Sequence, residues 1–297
     1  MQNQVRVAVV QAGSIFIDKE ASIDKAVSLT REAANQGAKI ILFPEAFVPG
    51  HPRMLDFGFN GGKQPSEAGR KLLELYRKNS LSAGDPALEP LARAAAETGV
   101  FLAMGASEVR GGDQFYSSLF FWGPEGDFLG QDRKIKLTGA ERQVWAQGDF
   151  NILTVLETAY GKTGTILSDE NYLPLMRAAM YARGVSLYLA PTSEARPTWQ
   201  CTIRHIALEG MCFVLSCNQY LSREMMPAKF DFDFELIERE QICQGGSAIV
   251  GPRGEYLAGP LFNQEGILMA DLDLGQIDAV RREFDPSGHF GFNRQPH

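Results

Sequence analysis

Residues Gly161 to Leu175, GKTGTILSDENYLPL, carry three local signals in one short run. Thr163 to Leu167 alternates small and apolar residues, as a buried strand does. Ser168, Asp169, Glu170 and Asn171 break that pattern at once. Pro174 then suits the first turn of a helix, where its missing N–H leaves no partner unmet. A strand that turns sharply into a helix needs a sheet with helices packed upon it, which restricts the chain to layered α/β or mixed architectures. The side chain at the apex of such a turn stands clear of the sheet, with helix-start N–H groups beside it to receive an anion. That apex residue is Ser168.

The rest of the chain repeats the alternation. Val5 to Gln11 reads as a first strand, Ser22 to Gln36 as a helix stopped by Gly37, and Lys39 to Phe43 as a second strand, continuous in apolar residues and therefore central. That strand runs into Pro44-Glu45-Ala46-Phe47. Ligands of open α/β sheets gather at the carboxyl ends of strands, so Glu45 is placed for chemistry. Gly50 to Asp85 is a Gly-, Lys- and Ser-rich excursion with a helical piece near Glu67 to Arg77. A helix follows, with Asp85 as N-cap, Pro86 at its first position and Gly99 as its stop. Val100 to Ser107 is a strand, and Gln114 to Trp122 forms a hairpin with Asp127 to Gln131 through Gly123 to Gly126.

Beyond the basic loop Asp132 to Asp149 come a strand at Asn151 to Glu157, a helix at about Leu173 to Arg183, and a strand at Val185 to Ala190. Trp199 to Gly210 is helical, Met211 to Cys217 a strand, and Ser222 to Glu240 a charged, aromatic stretch suited to a lid or subunit contact. Late strands at Ser247 to Val250, Glu255 to Ala258 and Gly266 to Asp271 precede a last helix, Gly275 to Phe284. No repeat or internal boundary divides residues 1–297, which read as a single domain.

Bulk properties narrow the function. The 297 residues suffice for a large core. A formal net charge of −7 disfavours nucleic-acid and anionic-membrane partners. No long apolar run or signal peptide is found, which fits a cytoplasmic protein. Cys201, Cys212, Cys217 and Cys243 have no CxxC spacing, and the four histidines form no HExxH or His-Cys cluster, so buried or semi-buried thiols, no metal and no cofactor are expected.

The Gly161 to Leu175 run resembles the nucleophile segment of the nitrilase branch of the carbon–nitrogen hydrolase superfamily, roughly G-K-x-G-x-x-I-C-W-E-N-Y-x-P-L. Ser168 stands at the position of the family's catalytic cysteine and Asp169 at that of its usual tryptophan. FPEAFVPG around Glu45 resembles the base segment. Arg133, Lys134, Thr138, Glu141, Arg142, Trp145, Gly148 and Asp149 match the family's cation segment, which departs at Leu137 and Ala146. Asp285 to His289, DPSGH, resembles its terminal element. The resemblance implies a four-layer α-β-β-α sandwich whose subunits pair helix layer to helix layer, as a homodimer or small homo-oligomer.

It further implies Glu45 as base, Lys134 as the cation that stabilises the tetrahedral intermediate, Ser168 in the nucleophile position, and Glu141 orienting Lys134 and the base. Trp199, Asn171 and Tyr172 are candidate substrate contacts, the alternative for Trp199 being a core residue. His205 reads as structural. The activity implied is conversion of a small nitrile to a carboxylic acid and ammonia, severely impaired by the serine. The alternatives are a non-catalytic homologue that binds a small nitrile, amide or acid, and an amidase or carbamoylase of the same superfamily.

Overall fold

The computed structural model describes residues 3–52, 55, 57, 65–139, 141–149, 154–194, 196–227 and 241–284. The first half runs β1 (Gln4–Gln11), α1 (Lys19–Asn35), β2 (Ile40–Leu42), α2 (Glu67–Asn79), α3 (Glu89–Thr98), β3 (Phe101–Arg110), β4 (Gln114–Trp122) and β5 (Phe128–Arg133). The second runs β6 (Val155–Thr158), β7 (Gly161–Thr165), α4 (Pro174–Ala182), β8 (Leu187–Thr192), α5 (Trp199–Gly210), β9 (Phe213–Asn218), β10 (Tyr220–Ser222), β11 (Gln241–Val250), β12 (Tyr256–Phe262), β13 (Gly266–Asp273) and α6 (Gly275–Phe284).

Two mixed sheets result. One is ordered β13-β1-β2-β3-β4-β5, the other β10-β11-β9-β8-β7-β6 with β12 paired to β11. Each has a parallel centre, β1-β2-β3 and β7-β8-β9, with antiparallel strands at its flanks. The period of two along each strand decides which layer a side chain joins. Val5, Val7 and Val9 of β1 meet Leu187, Leu189, Phe213 and Leu215 in an apolar layer between the sheets. Ala8 and Val10 face the other way, onto Ile23 and Ala26 of α1 and Leu91 and Ala95 of α3. On the second sheet Tyr188, Ala190 and Val214 face Met180 of α4 and Ile203 and Ile206 of α5. Helix, sheet, sheet, helix is the four-layer sandwich. Both faces of its central strands are covered, which is why β2 is apolar without alternation.

Local chemistry sets the boundaries. Asp18 accepts from the Ala21 N–H and Ser66 from the Gly69 N–H, capping α1 and α2. Asp85 caps something shorter than the sequence suggests: it accepts from Ala87 N–H at 2.9 Å to start a single 3-10 turn, Pro86–Leu88, and α3 begins only at Glu89. Cys201, expected to be buried or semi-buried, is exposed on α5, whereas Cys212, Cys217 and Cys243 are buried. The side chain of His205 is also largely exposed, its Nε2 3.7 Å from Glu209 one turn along α5. Among the described residues no helix is long and apolar enough to cross a membrane. The expectations for 58–64 within the excursion, for 228–240 of the charged stretch and for Asp285 to His289 lie outside the described residues.

Candidate active site

Both parallel centres point their carboxyl ends toward the same pole of the sandwich. Glu45 follows β2, Lys134 follows β5, Ser168 follows β7, Ser193 follows β8 and Gln219 follows β9. These residues are distant in sequence and are brought together by topology alone.

Glu45 is fully buried. Its turn is fixed by close packing: Ala46 adopts φ +48°, and Gly105 on β3 lies so near that an added Cβ would stand 2.0 Å from the Pro44 carbonyl oxygen. Gln219 Nε2 donates to the Glu45 carbonyl at 2.7 Å. The carboxylate accepts from Ser117 Oγ (3.1 Å) and Lys134 Nζ (3.0 Å) at Oε1, and from Ser193 Oγ (2.9 Å) at Oε2. Burial is the largest influence and presses its pKa upward, but the charge and hydrogen bond of Lys134 together with His51 hold it below the usual carboxylate range.

Lys134 is as deeply enclosed. A bidentate pair between Arg133 and Glu108 locks the end of β5, and the Lys134 N–H donates to the Ser117 carbonyl at 2.8 Å. Its ammonium then bridges two carboxylates, Glu45 Oε1 and Glu141 Oε1, the latter at 2.7 Å. Burial would strip its proton; the two carboxylates prevail and hold the pKa above that of an ordinary lysine. Glu141 Oε2 accepts from the Thr138 N–H at 2.8 Å, and burial of this carboxyl is outweighed by His51 and Lys134, which keep it ionised. The arrangement for Glu141 is thus a pair with Lys134, while Arg142 Nε donates instead to the Leu137 carbonyl.

Glu45, His51 and Glu141 place ligand atoms within 4.8 Å of one another. A divalent ion at that point would meet the Lys134 ammonium, already seated between two of the three ligands. The donor set is one built around an internal cation rather than for a metal.

Ser168 opens a 3-10 turn, Ser168–Tyr172, in the left-handed region at φ +47°, a conformation that costs a non-glycine residue about 1–2 kcal/mol. Asn171 holds it there. Its Nδ2 donates to the carbonyls of Ile166 and Ser168, both at 2.9 Å, and its Oδ1 accepts from Tyr188 at 2.7 Å. Ser168 Oγ lies 3.2 Å from Thr192 Oγ1, one residue before the Ser193 that binds Glu45.

Asn171 is therefore a brace for the turn, with its amide engaged by the chain and not offered to a ligand. Trp199 is likewise a core residue, 1% exposed, its indole N–H donating to Ser216 Oγ at 2.8 Å. Tyr172 does reach the surface: it packs edge-on against Trp199 and lies under the Arg196 guanidinium. Arg196 pairs with Glu194 and, at 3.3 Å, with Asp169.

Glu170 was not singled out by the sequence, and it joins the two halves of the site. Its Oε1 accepts from the backbone N–H groups of Ile135 (2.6 Å) and Lys136 (2.7 Å), tying the Ser168 turn to the loop that carries Lys134. Burial pushes its carboxyl up to about 7, against the pull of those N–H groups and Lys134. Ser117, Thr192 and Ser193 were also missed; hydroxyl residues in and after strands give no signal until the fold sets them beside a charge. Within this enclosure a carboxylate held ionised can take up and return a proton, and a fixed ammonium can hold developing negative charge.

The sequence profile of the carbon–nitrogen hydrolase family matches residues 6–282, and the chain belongs to that family. It is accordingly an enzyme of the carbon–nitrogen hydrolase class. Among curated proteins it is 42% identical over 291 residues to a bifunctional nitrilase/nitrile hydratase of Lupinus angustifolius, covering 96% of this chain and 83% of that one. It is 40% identical, with 96% and 84% covered, to nitrilase 3 of Arabidopsis thaliana. Among solved structures, Nit3 of Saccharomyces cerevisiae, described as a member of branch 10 of the nitrilase superfamily, aligns with a TM-score of 0.74 over 97% of each chain. At 20% identity that last likeness speaks for the fold alone.

Proposed function

We propose that this chain is a nitrilase-type hydrolase, built to convert a small nitrile to a carboxylic acid and ammonia through Glu45, Lys134 and a nucleophile at position 168. The observation that carries the reading is the buried Lys134 ammonium bridging Glu45 and Glu141, at the pole where the Ser168 turn also ends. In this scheme the nucleophile's X–H adds across the C≡N bond, its proton passing by way of Glu45 to the nitrile nitrogen. A water adds across the resulting C=N bond, with Lys134 stabilising charge on the tetrahedral intermediate. Ammonia leaves with an acyl ester at residue 168, and a second water releases the acid and restores X–H.

Ser168 makes this chain a poor executor of that scheme. A thiol, with a pKa near ~8.5, is readily ionised beside a base and a cation, whereas a serine hydroxyl is far less acidic. Asp169, whose carboxyl burial pushes upward, adds a second acidic group next to the nucleophile and disfavours an anion there. Cys212 and Cys217 do not replace it: both are enclosed, and burial pushes the Cys212 thiol up to about 12 and the Cys217 thiol well above its ordinary value. Ser168 and Asp169 together favour, as the second reading, a homologue that binds a small nitrile, amide or acid without turnover. An amidase or carbamoylase activity is the third. The same proposal carries a single catalytic domain acting as a cytoplasmic homodimer or small homo-oligomer.

The test is ammonia release from aliphatic, aryl and arylacetonitriles and from the matching amides, by this chain and by Ser168→Cys in parallel. The nitrilase reading expects turnover of nitriles by the variant and little by the parent. Turnover confined to amides would move the assignment to an amidase, and silence in both chains would give the binding reading precedence.

A further inference from the structure

Thr192, the last residue of β8, is fully buried, and its Oγ1 is 3.2 Å from Ser168 Oγ. Either hydroxyl alone could donate. The surroundings of Thr192 favour it as the donor. The Glu194 backbone N–H donates to Thr192 Oγ1 at 2.9 Å, so this oxygen already serves as an acceptor. Its own proton still requires one, because a buried hydroxyl hydrogen without a partner is unfavourable. Among the described residues Ser168 Oγ is the acceptor within reach of it. Either hydroxyl can donate across this contact, and with one acceptor site of Thr192 Oγ1 already taken by the Glu194 N–H, Thr192 is placed to give its proton to residue 168.

We propose that Thr192 is a positioning residue for the nucleophile: its hydroxyl donates to the side chain at 168, fixing its rotamer and favouring its anionic form. Ser193, the next residue, donates to Glu45 Oε2 at 2.9 Å, so one strand end orients both nucleophile and base. Topology makes this arrangement available. Thr192 and Ser168 belong to the ends of β8 and β7, which are parallel neighbours with Thr165 opposite Leu189, so the two chains leave the sheet side by side. The Glu194 N–H bond fixes the Thr192 oxygen, so its direction toward residue 168 does not have to be found during the reaction. The inference rests on the reading of residue 168 as nucleophile.

The sign of one shift tests it. A donor to the anion lowers the nucleophile's pKa, and removing it raises that pKa; an acceptor from the neutral group does the opposite. The measurement is the ultraviolet thiolate titration of Ser168→Cys, with the Ser168 chain as the blank that subtracts Cys201, Cys212, Cys217 and Cys243. Adding Thr192→Val, itself blanked against Thr192→Val alone, is expected to move the titration of the thiol introduced at position 168 up by roughly 0.5–1 pH unit, the scale of one hydrogen bond.

Thr192→Ser, which keeps the hydroxyl, is expected to restore it, and Thr192→Ala is the second deletion should the valine perturb folding. An unmoved or lowered titration in a folded deletion variant overturns the proposal. Nitrile turnover by Ser168→Cys is read separately. A raised titration with no turnover sustains Thr192 and removes the nitrilase reading; turnover with an unmoved titration does the reverse.

Discussion

Replacing Glu170 tests whether the Ser168 turn and the Lys134 loop are one structural unit. The carboxylate is 2% exposed and receives two short backbone hydrogen bonds, 2.6 and 2.7 Å. In Glu170→Ala the N–H groups of Ile135 and Lys136 lose that partner, at about 1–3 kcal/mol each, so a loss of roughly 2–6 kcal/mol is expected before any cavity is counted. Glu170→Gln keeps an acceptor oxygen for those N–H groups, so its cost is expected to be smaller than that of the alanine variant.

The pH dependence has a definite sign. The folded carboxyl is pushed up to about 7 by burial, while in the unfolded chain it titrates near ~4.3. A raised acid contributes stability that is fully present below the unfolded value and is lost as pH rises through the folded one. The parent's advantage over Glu170→Gln therefore shrinks between about pH 4 and 7. Urea unfolding of the three chains at several pH values, with unchanged m-values, is the assay. A loss under about 1 kcal/mol for the alanine variant, or a parent-to-glutamine gap that widens with pH, would refute the reasoning.

Three further outcomes follow from the same geometry. Lys134→Met leaves Glu45 and Glu141 as buried carboxylates without their ammonium and is expected to destabilise by about 3–5 kcal/mol in denaturant unfolding. Gly105→Ala sets a Cβ 2.0 Å from the Pro44 carbonyl; in the Ser168→Cys background it should depress kcat far more than its effect on melting accounts for, because the displaced turn carries Glu45. Thr163→Val should raise stability by about 1 kcal/mol, read as a higher denaturant midpoint, since the Thr163 Oγ1 is buried without a hydrogen-bond partner on the face of β7 between the sheets.

What the sequence made legible was what depends on near neighbours. The apolar run at Lys39 to Phe43 announced a strand covered on both faces, and β2 is one. Gly275 to Phe284 was readable to its ends because apolar spacing alone defines it. The segments around Glu45, Lys134 and Ser168, which the resemblance marks out, follow β2, β5 and β7.

Contacts set by long-range topology were not legible. Ser193 and Glu45 are 148 positions apart, and nothing about a serine after a strand says which carboxylate it will meet. Trp199 followed the nucleophile segment and so suggested a pocket wall; the amphipathic turn of α5 instead rotates it into the outer core. Asn171 looked like a polar group for a ligand, yet a left-handed residue three positions earlier needs its carbonyl held, and the amide does that. Asp85 was read correctly as a cap and assigned to the wrong element, because a 3-10 turn and an α-helix begin with the same chemistry.

The central claim is that residue 168 is the point of covalent attachment in a centre completed by Glu45 and Lys134. Its most direct test is acid quenching of Ser168→Cys during nitrile turnover, followed by peptide mass mapping. The account predicts an adduct on the peptide that carries residue 168, absent from the parent and lost when Lys134→Met is added. An adduct on another residue such as the exposed Cys201, or steady turnover with residue 168 unmodified, would contradict it.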